Sequence, residues 1–346
     1  MYNDSIKRTI KRILIDYYKT LKLYEYYGFR GKCKTDRRRL VFMIDGRTHH
    51  GGLSDRLCGL ISAYKLAELN NREFKINYNY PYKLETFLEP NEYDWRINES
   101  EIGYNLFSSS PLYLSMFSHV HSKLIKYVNW KIAGKPKDLH LYSNVRYFEI
   151  EEFGRLFNTL FKPSAQLQEA IESIQKKVGT DYISITFRFQ QLLGDFKETG
   201  FAVLSNEEEK QNILDDCYTC IEQLYKVTKQ NILVTSDSGT FLSLVKDRYD
   251  YVRTIPGQVV HMDFVDKADN IQTAVHMKSF VDFFMLANAN HIYLANIRPL
   301  YASSFPMVAS WLCQKPFSAV SLSNRELKIE GLDRPFNHGD LLELYK

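Results

Sequence analysis

Leu40-Val41-Phe42-Met43-Ile44 is followed by Asp45-Gly46-Arg47-Thr48-His49-His50-Gly51-Gly52 and then by the amphipathic stretch Leu53 to Leu69. An unbroken apolar run of this length reads as a buried strand. The glycine-flanked polar segment reads as a loop. Leu57, Leu60, Ile61, Tyr64 and Ala67 recur at helical spacing behind it. Phe74 to Tyr78 supplies the next strand, which completes a β–loop–α–β unit and predicts a parallel sheet.

The second half repeats the alternation. Strands are expected at Tyr182–Phe187, Asn231–Thr235, Tyr251–Thr254 and His291–Ala295. Helices are expected after Ser205, over Thr240–Lys246, over Thr273–Ala287 and over Ser303–Leu312. Ser205 and Glu208 have the spacing of a capping box. Such alternation predicts a doubly wound α/β fold. The middle, 80–150, gives no clear pattern; Ser108-Ser109-Ser110-Pro111 and Gly134-Lys135-Pro136-Lys137 read as breaks. Lys162-Pro163-Ser164 marks the domain boundary. The chain divides into a basic N-terminal segment, 1–39, and α/β domains over 40–163 and 164–346.

The composition suits a chain that buries a core, with 45% apolar and 25% charged residues. The net charge is only +4, but residues 1–39 hold twelve basic and four acidic side chains. That asymmetry marks a basic face near the N-terminus and argues against a nucleic-acid-binding protein. Ile6, Ile10, Ile13, Leu14, Tyr17, Tyr18 and Leu21 repeat at helical spacing among these basic residues. They predict a helix packed on its own domain with its basic face solvated. Alternatively, the helix lies peripherally on an anionic membrane, at its inner face. No run of about 20 apolar residues is present to span a bilayer, and charge interrupts every candidate signal-peptide core. The five cysteines are odd in number and irregularly spaced, which argues for free thiols and a cytoplasmic setting. Cys217-Tyr218-Thr219-Cys220 lacks the second pair that a zinc site needs and reads as structural.

Polar clusters fall after the predicted strands, where open α/β sheets bind ligands. Gly51 and Gly52 either form a plain tight turn or let a backbone approach an anion at a helix start, with Arg56 one turn on. They form neither a P-loop nor a G-x-G-x-x-G turn. Arg188 ends one strand, and its planar fork suits a diphosphate; a structural ion pair is the alternative. Ser236 and Asp237 end another strand, where the carboxylate suits either a ribose or base edge, or a helix cap. Ser303 and Ser304, before Phe305, suit either phosphate or helix capping. His49 and His50 suit either a structural role in the loop or proton transfer, and no further residues at metal-ligand spacing join them.

Together these segments resemble the fucosyltransferase superfamily that contains the α1,2-, α1,6- and protein O-fucosyltransferases. Gly52-Leu53-Ser54-Asp55-Arg56-Leu57 is similar to that family's Gly-Leu-Gly-Asn/Asp-Arg-Leu turn. Glu89-Pro90-Asn91-Glu92-Tyr93-Asp94-Trp95 is similar to a downstream segment in related bacterial sequences. Thr186-Phe187-Arg188 resembles its His-x-Arg, with threonine in place of histidine, and Phe189-Gln190-Gln191 replaces the usual Arg-Arg continuation. Ser236-Asp237 resembles its second-domain Ser-Asp element. Phe280–Leu286, with Asp282, and His291–Phe305 resemble its last block.

The resemblance implies a GT-B-like fold, two Rossmann-like domains facing a cleft, with the acceptor against 40–163 and the nucleotide sugar in 164–346. It implies inverting transfer of fucose from GDP-fucose to a glycan acceptor, with no metal or other cofactor, in surface polysaccharide synthesis. Arg188 would contact the β-phosphate, Asp237 or a neighbour the nucleoside, and Ser303 and Ser304 phosphate. The expected donor site comprises Gly51, Gly52, Arg56, Arg188, Ser236, Asp237, Asp282, Ser303, Ser304 and Phe305. The expected catalytic residues are Arg188, Asp45 and His50, with His49, Asp195 and Glu198 as further candidates for the base. A transferase using another nucleotide sugar and a non-catalytic membrane-surface scaffold are the alternatives.

Overall fold

The computed structural model describes residues 2–29, 38–114, 129–133, 137–144, 146–195, 203–260, 262 and 269–331. Glu198, Cys33 and the basic residues between 30 and 37 lie outside them. The chain divides into two compact units. The first comprises 1–84, 90–149 and 156–162; the second comprises 85–89, 150–155 and 163–346. The main division falls at Lys162 and Pro163, and two short segments from before it are assigned to the second unit.

The first unit opens on helix α1 (Tyr2–Leu23) and continues through strand β1 (Arg39–Ile44), helix α2 (Leu53–Leu69) and strands β2 (Glu73–Tyr78), β3 (Ser109–Leu114) and β4 (Asp138–Ser143). The sheet order is β2-β1-β4-β3, all parallel. All six residues of β1 are buried, as expected of a strand covered on both faces.

Strand β3 runs through the segment that reads as a break. It is an edge strand, and the edge is where proline is tolerated. Tyr113 turns its N–H outward to Thr20 Oγ1 of α1 at 3.0 Å. Pro111, two residues earlier, has the same outward direction, so its missing N–H costs no ladder bond.

Helix α1 meets this edge through Lys19, Thr20 and Leu23. Lys19 Nζ donates to Tyr113 Oη at 2.9 Å, and Leu23 is buried with Val41, Met43, Tyr113 and Tyr142. Leu14, Tyr17, Tyr18 and Leu21 are exposed on the outer side. The packed-helix expectation is thus reversed in orientation: the apolar stripe faces solvent, because the contact to β3 is made from the other side of the helix.

The second unit contains α3 (Ala165–Val178), β5 (Tyr182–Phe187), α4 (Glu207–Thr228), β6 (Asn231–Ser236), α5 (Gly239–Arg248) and β7 (Val252–Thr254). It ends with α6 (Asp269–Asn288), β8 (Ile292–Ala295), α7 (Phe305–Leu312), β9 (Phe317–Ser323) and β10 (Glu326–Gly331). The order β10-β9-β8-β5-β6-β7 is parallel apart from β10. The cap of α4 is Asn206, whose Oδ1 accepts from Glu208 N–H at 2.9 Å, one residue beyond the Ser205 expected from the capping box. Cys217 and Cys220 are buried in the core between α4 and the sheet, and both are free thiols. Among the described residues, no helix is long and apolar enough to cross a membrane.

Candidate active site

Each of the two larger sheets has a point where the strand order reverses, and ligands of open α/β sheets bind there, beyond the carboxyl ends of the strands. In the second unit the chain runs from β5 outward through β6 and β7, then starts again at β8 on the other side of β5. The loops leaving β5 and β8 therefore flank the reversal, and Tyr301 N–H donates to the Arg188 carbonyl at 2.9 Å, joining them.

Asp237, leaving β6, ties in the third loop. Its Oδ1 accepts from Phe189 N–H at 2.7 Å, and its Oδ2 accepts from Gln190 N–H at 2.6 Å. Arg188 Nη1 lies 3.2 Å from Oδ2; the carboxylate is 1% exposed and the arginine side chain 21%. Burial pushes the Asp237 carboxyl above its ordinary value, while the guanidinium and the two N–H groups pull against that. Asp237 thus spends its oxygens inside the protein, shaping the turn that presents Arg188, and the arginine remains partly open to solvent.

The neighbouring hydroxyls and carboxylates have similarly local partners. Ser236 Oγ accepts from Ser238 N–H at 3.1 Å. Asp195 Oδ2 accepts from Ser238 Oγ at 2.8 Å and from Thr240 N–H at 2.9 Å, which caps α5 from outside. Thr186, in the position of the expected histidine, shares a hydrogen bond with Thr235 at 2.8 Å. Beyond β8, Ser303 Oγ accepts from Phe305 N–H at 3.2 Å. Ser304 occupies the N-cap of α7 without a side-chain cap bond, and both serines are half-buried. Pro306 contributes no N–H to this helix start. Asp282 is buried within α6, and Lys278 Nζ donates to both its oxygens at 2.8 Å. Burial pushes that carboxyl up, and Lys278 opposes the shift.

The first unit has the same construction. Its order reverses between β1 and β4, and Asn144 Nδ2, just after β4, donates to the His50 carbonyl at 2.7 Å. Asp45 ends β1. Its Oδ2 accepts from Tyr142 Oη at 2.9 Å, and its Oδ1 accepts from Arg47 N–H at 3.2 Å. Burial, then the Asp45 charge, push the Tyr142 phenol upward. His50 Nε2 accepts from Gly46 N–H at 3.1 Å. Burial foremost, with Arg56 and His49, takes its pKa down to about 3. A ring whose acceptor nitrogen already holds a backbone N–H supports the loop; its lone pair is not turned toward a substrate. His49 is exposed, and its Nδ1 accepts from Gly51 N–H at 3.2 Å.

Arg56 lies fully inside this unit. It donates to the Gly51 carbonyl at 3.0 Å, to Tyr78 Oη at 2.8 Å and to the Tyr80 carbonyl at 3.1 Å. Its position gives it a hold on the glycine turn. The two glycines differ: Gly51 has φ +74°, while Gly52 has φ −72° and open space where a Cβ would point.

The structure therefore gathers Arg188, Ser236 and Asp237 around one strand reversal, with the loop carrying Ser303 and Ser304 bonded to it through Tyr301. Asp45, His50, Gly51, Gly52 and Arg56 gather around the other. Asn144, Tyr142 and Tyr301 were not singled out by sequence. Recognising β4 as a strand would have pointed to the residues that follow it. Arg298, exposed in the loop after β8, adds a cation to Arg188 of the loop after β5.

No protein-family model matches the chain, and no curated protein matches it in sequence. Solved structures do match. NodZ alpha-1,6-fucosyltransferase co-crystallised with GDP aligns with a TM-score of 0.55 at 15% identity, over 86% of this chain and 99% of that one. The same enzyme soaked with GDP-fucose gives 0.53 at 13%, over 85% and 99%. Se-Met fucosyltransferase NodZ from Bradyrhizobium gives 0.55 at 15%, over 85% and 98%. The chain thus has the α/β fold of these GT-B fucosyltransferases.

Proposed function

We propose that this chain is a glycosyltransferase that moves fucose from GDP-fucose to a hydroxyl of a glycan acceptor. The observation that carries this reading is the convergence of three strand-end loops on Arg188, in a fold shared with a fucosyltransferase crystallised with GDP. As the bond from sugar to diphosphate breaks, negative charge grows on the β-phosphate. A guanidinium already fixed by its turn stabilises that charge without reorganising, which is electrostatic preorganisation. The start of α7, with Ser303 and Ser304, adds hydroxyl and helix-dipole stabilisation. Asp237 acts as a positioning residue, and a neighbouring backbone group reads the nucleoside.

The reaction in this reading inverts the anomeric centre in one displacement and needs no metal. The acceptor hydroxyl attacks, its proton passes to a base, and GDP departs. Asp45 is the base we assign, oriented by Tyr142; His50 and Arg56 shape the loop around it. The acceptor belongs to surface polysaccharide synthesis in the cytoplasm.

Thermal unfolding with GDP, UDP, ADP and CMP tests the donor, because a ligand that binds only the folded state raises the melting temperature. GDP alone should raise it, and GDP-fucose should be turned over. Stabilisation by UDP in preference to GDP would move the assignment to another nucleotide sugar. Stabilisation by none of them would remove the transferase reading.

A further inference from the structure

We propose that the outward face of α1 rests on an anionic lipid surface. This inference does not depend on the transferase reading. Leu14 is 61% exposed, Tyr17 58%, Tyr18 57% and Leu21 47%. At 100° per residue these four fall on one side of the helix, opposite Lys19, Thr20 and Leu23, which hold α1 to β3. The apolar stripe is thus turned away from its own unit by contacts that fix the helix in that orientation.

Charge decides the occupant. Lys11 and Lys22 are exposed beside the stripe, and Lys22 Nζ lies 4.8 Å from the centre of the Tyr18 ring. Residues 1–39 carry twelve basic side chains against four acidic ones; with Arg39 buried against Asp138 and Lys19 turned to β3, ten basic side chains still stand against the four. A second copy docking face to face would bring two such basic segments together, because a two-fold interface pairs the same patch with itself. An anionic bilayer would neutralise them. Leucines entering the acyl boundary, tyrosines at headgroup depth and lysines reaching outward form the pattern of an interfacial helix. The helix would lie on the membrane rather than cross it.

Flotation of the full-length chain with phosphatidylcholine vesicles, with or without phosphatidylglycerol, tests this. Binding should require phosphatidylglycerol and weaken with salt. The double variant Leu14→Ser/Leu21→Ser should bind at least about tenfold more weakly. Lys11→Gln and Lys22→Gln should each cost about fivefold. Melting temperatures should hold in all of these variants, since the altered side chains are exposed. Equal binding to both vesicle types, or wild-type binding by the leucine variant, would overturn the proposal. So would a drop in its melting temperature, which would mean that the stripe is packed. A shift from dimer to monomer in that variant, with no vesicle binding by the wild type, would show that a second copy covers the face.

Discussion

Asp237 holds Gln190 in the left-handed region: its Oδ2 accepts the Gln190 N–H at 2.6 Å, and φ there is +55°. A non-glycine residue in that region costs energy and persists where the surroundings over-determine it. The turn that presents Arg188 is therefore held by one buried carboxylate.

Asp237→Asn should expose that dependence. One asparagine position is an NH2 group, which would face an N–H donor where the carboxylate now accepts. The expected loss is about 1–3 kcal/mol in urea unfolding, together with loss of stabilisation by GDP. Adding Gln190→Gly should recover part of the stability, because glycine takes positive φ without steric cost. An Asp237→Asn protein with wild-type stability and GDP response would show that the carboxylate does not hold the turn.

Much of the fold was legible because buried parallel strands are continuous apolar runs. Tyr182–Phe187 matches β5 residue for residue, and Leu53–Leu69 matches α2. What was illegible depended on context. The outer position of Pro111 follows from β3 being an edge strand, which a single segment cannot reveal. The β9–β10 hairpin turns through Asn324-Arg325 at φ +54° and +64°. Arginine stands there where glycine is the usual signal. At the site, residue types after each strand were readable, but their commitments were not. Asp237 and Arg56 are polar residues at the right places, and only the fold shows that their polar atoms serve the turn itself.

Gly51 and Gly52 form one sequence motif but should respond differently to substitution. Gly51→Ala places a Cβ 2.9 Å from Asn144 Nδ2 and 3.0 Å from Asp55 Oδ2, on a backbone at φ +74°. It should destabilise by more than about 1 kcal/mol. Gly52→Ala has an ordinary φ and open space, but Gly52 is the N-cap of α2, where alanine is disfavoured, so its loss should be the smaller one, about 0.5–1 kcal/mol. Thermal unfolding of both variants decides the matter. Equal losses would mean that the backbone of the turn is not as described.

His50 and His140 should make stability fall with acid. Burial takes each ring to a pKa of about 3, below its ordinary 6.5. His140 Nδ1 is bonded to Tyr27 Oη at 2.6 Å. The folded state holds both rings neutral, so the unfolded chain binds more protons between those two values. Their contribution is complete above pH 6.5 and lost as pH falls toward 3. Each ring should account for about 1 kcal/mol between pH 7.5 and 5.5. Asp55, Asp237 and Asp282 are shifted upward by burial and oppose this, since their ionised forms carry a cost that acid relieves. His140→Gln isolates one ring: its stability should vary less over that range. An unchanged pH dependence would show that this ring is not among the titrating groups.

Arg188 needs two substitutions, because its removal also leaves a buried carboxylate without its cation. Arg188→Ala should lower kcat by at least about a hundredfold, and it should also cost about 1–3 kcal/mol of stability. Activity loss in that variant alone therefore mixes catalysis with folding. Arg188→Lys keeps a positive charge near Asp237 but loses the planar fork. It should keep most of the melting temperature and part of the GDP stabilisation, while turnover still falls by at least about tenfold. If the lysine variant turned over at the wild-type rate, a point charge would suffice and the bidentate role would be wrong. If both variants kept wild-type turnover, the leaving diphosphate would have to be stabilised elsewhere, and the assignment of this strand reversal as the donor site would fail.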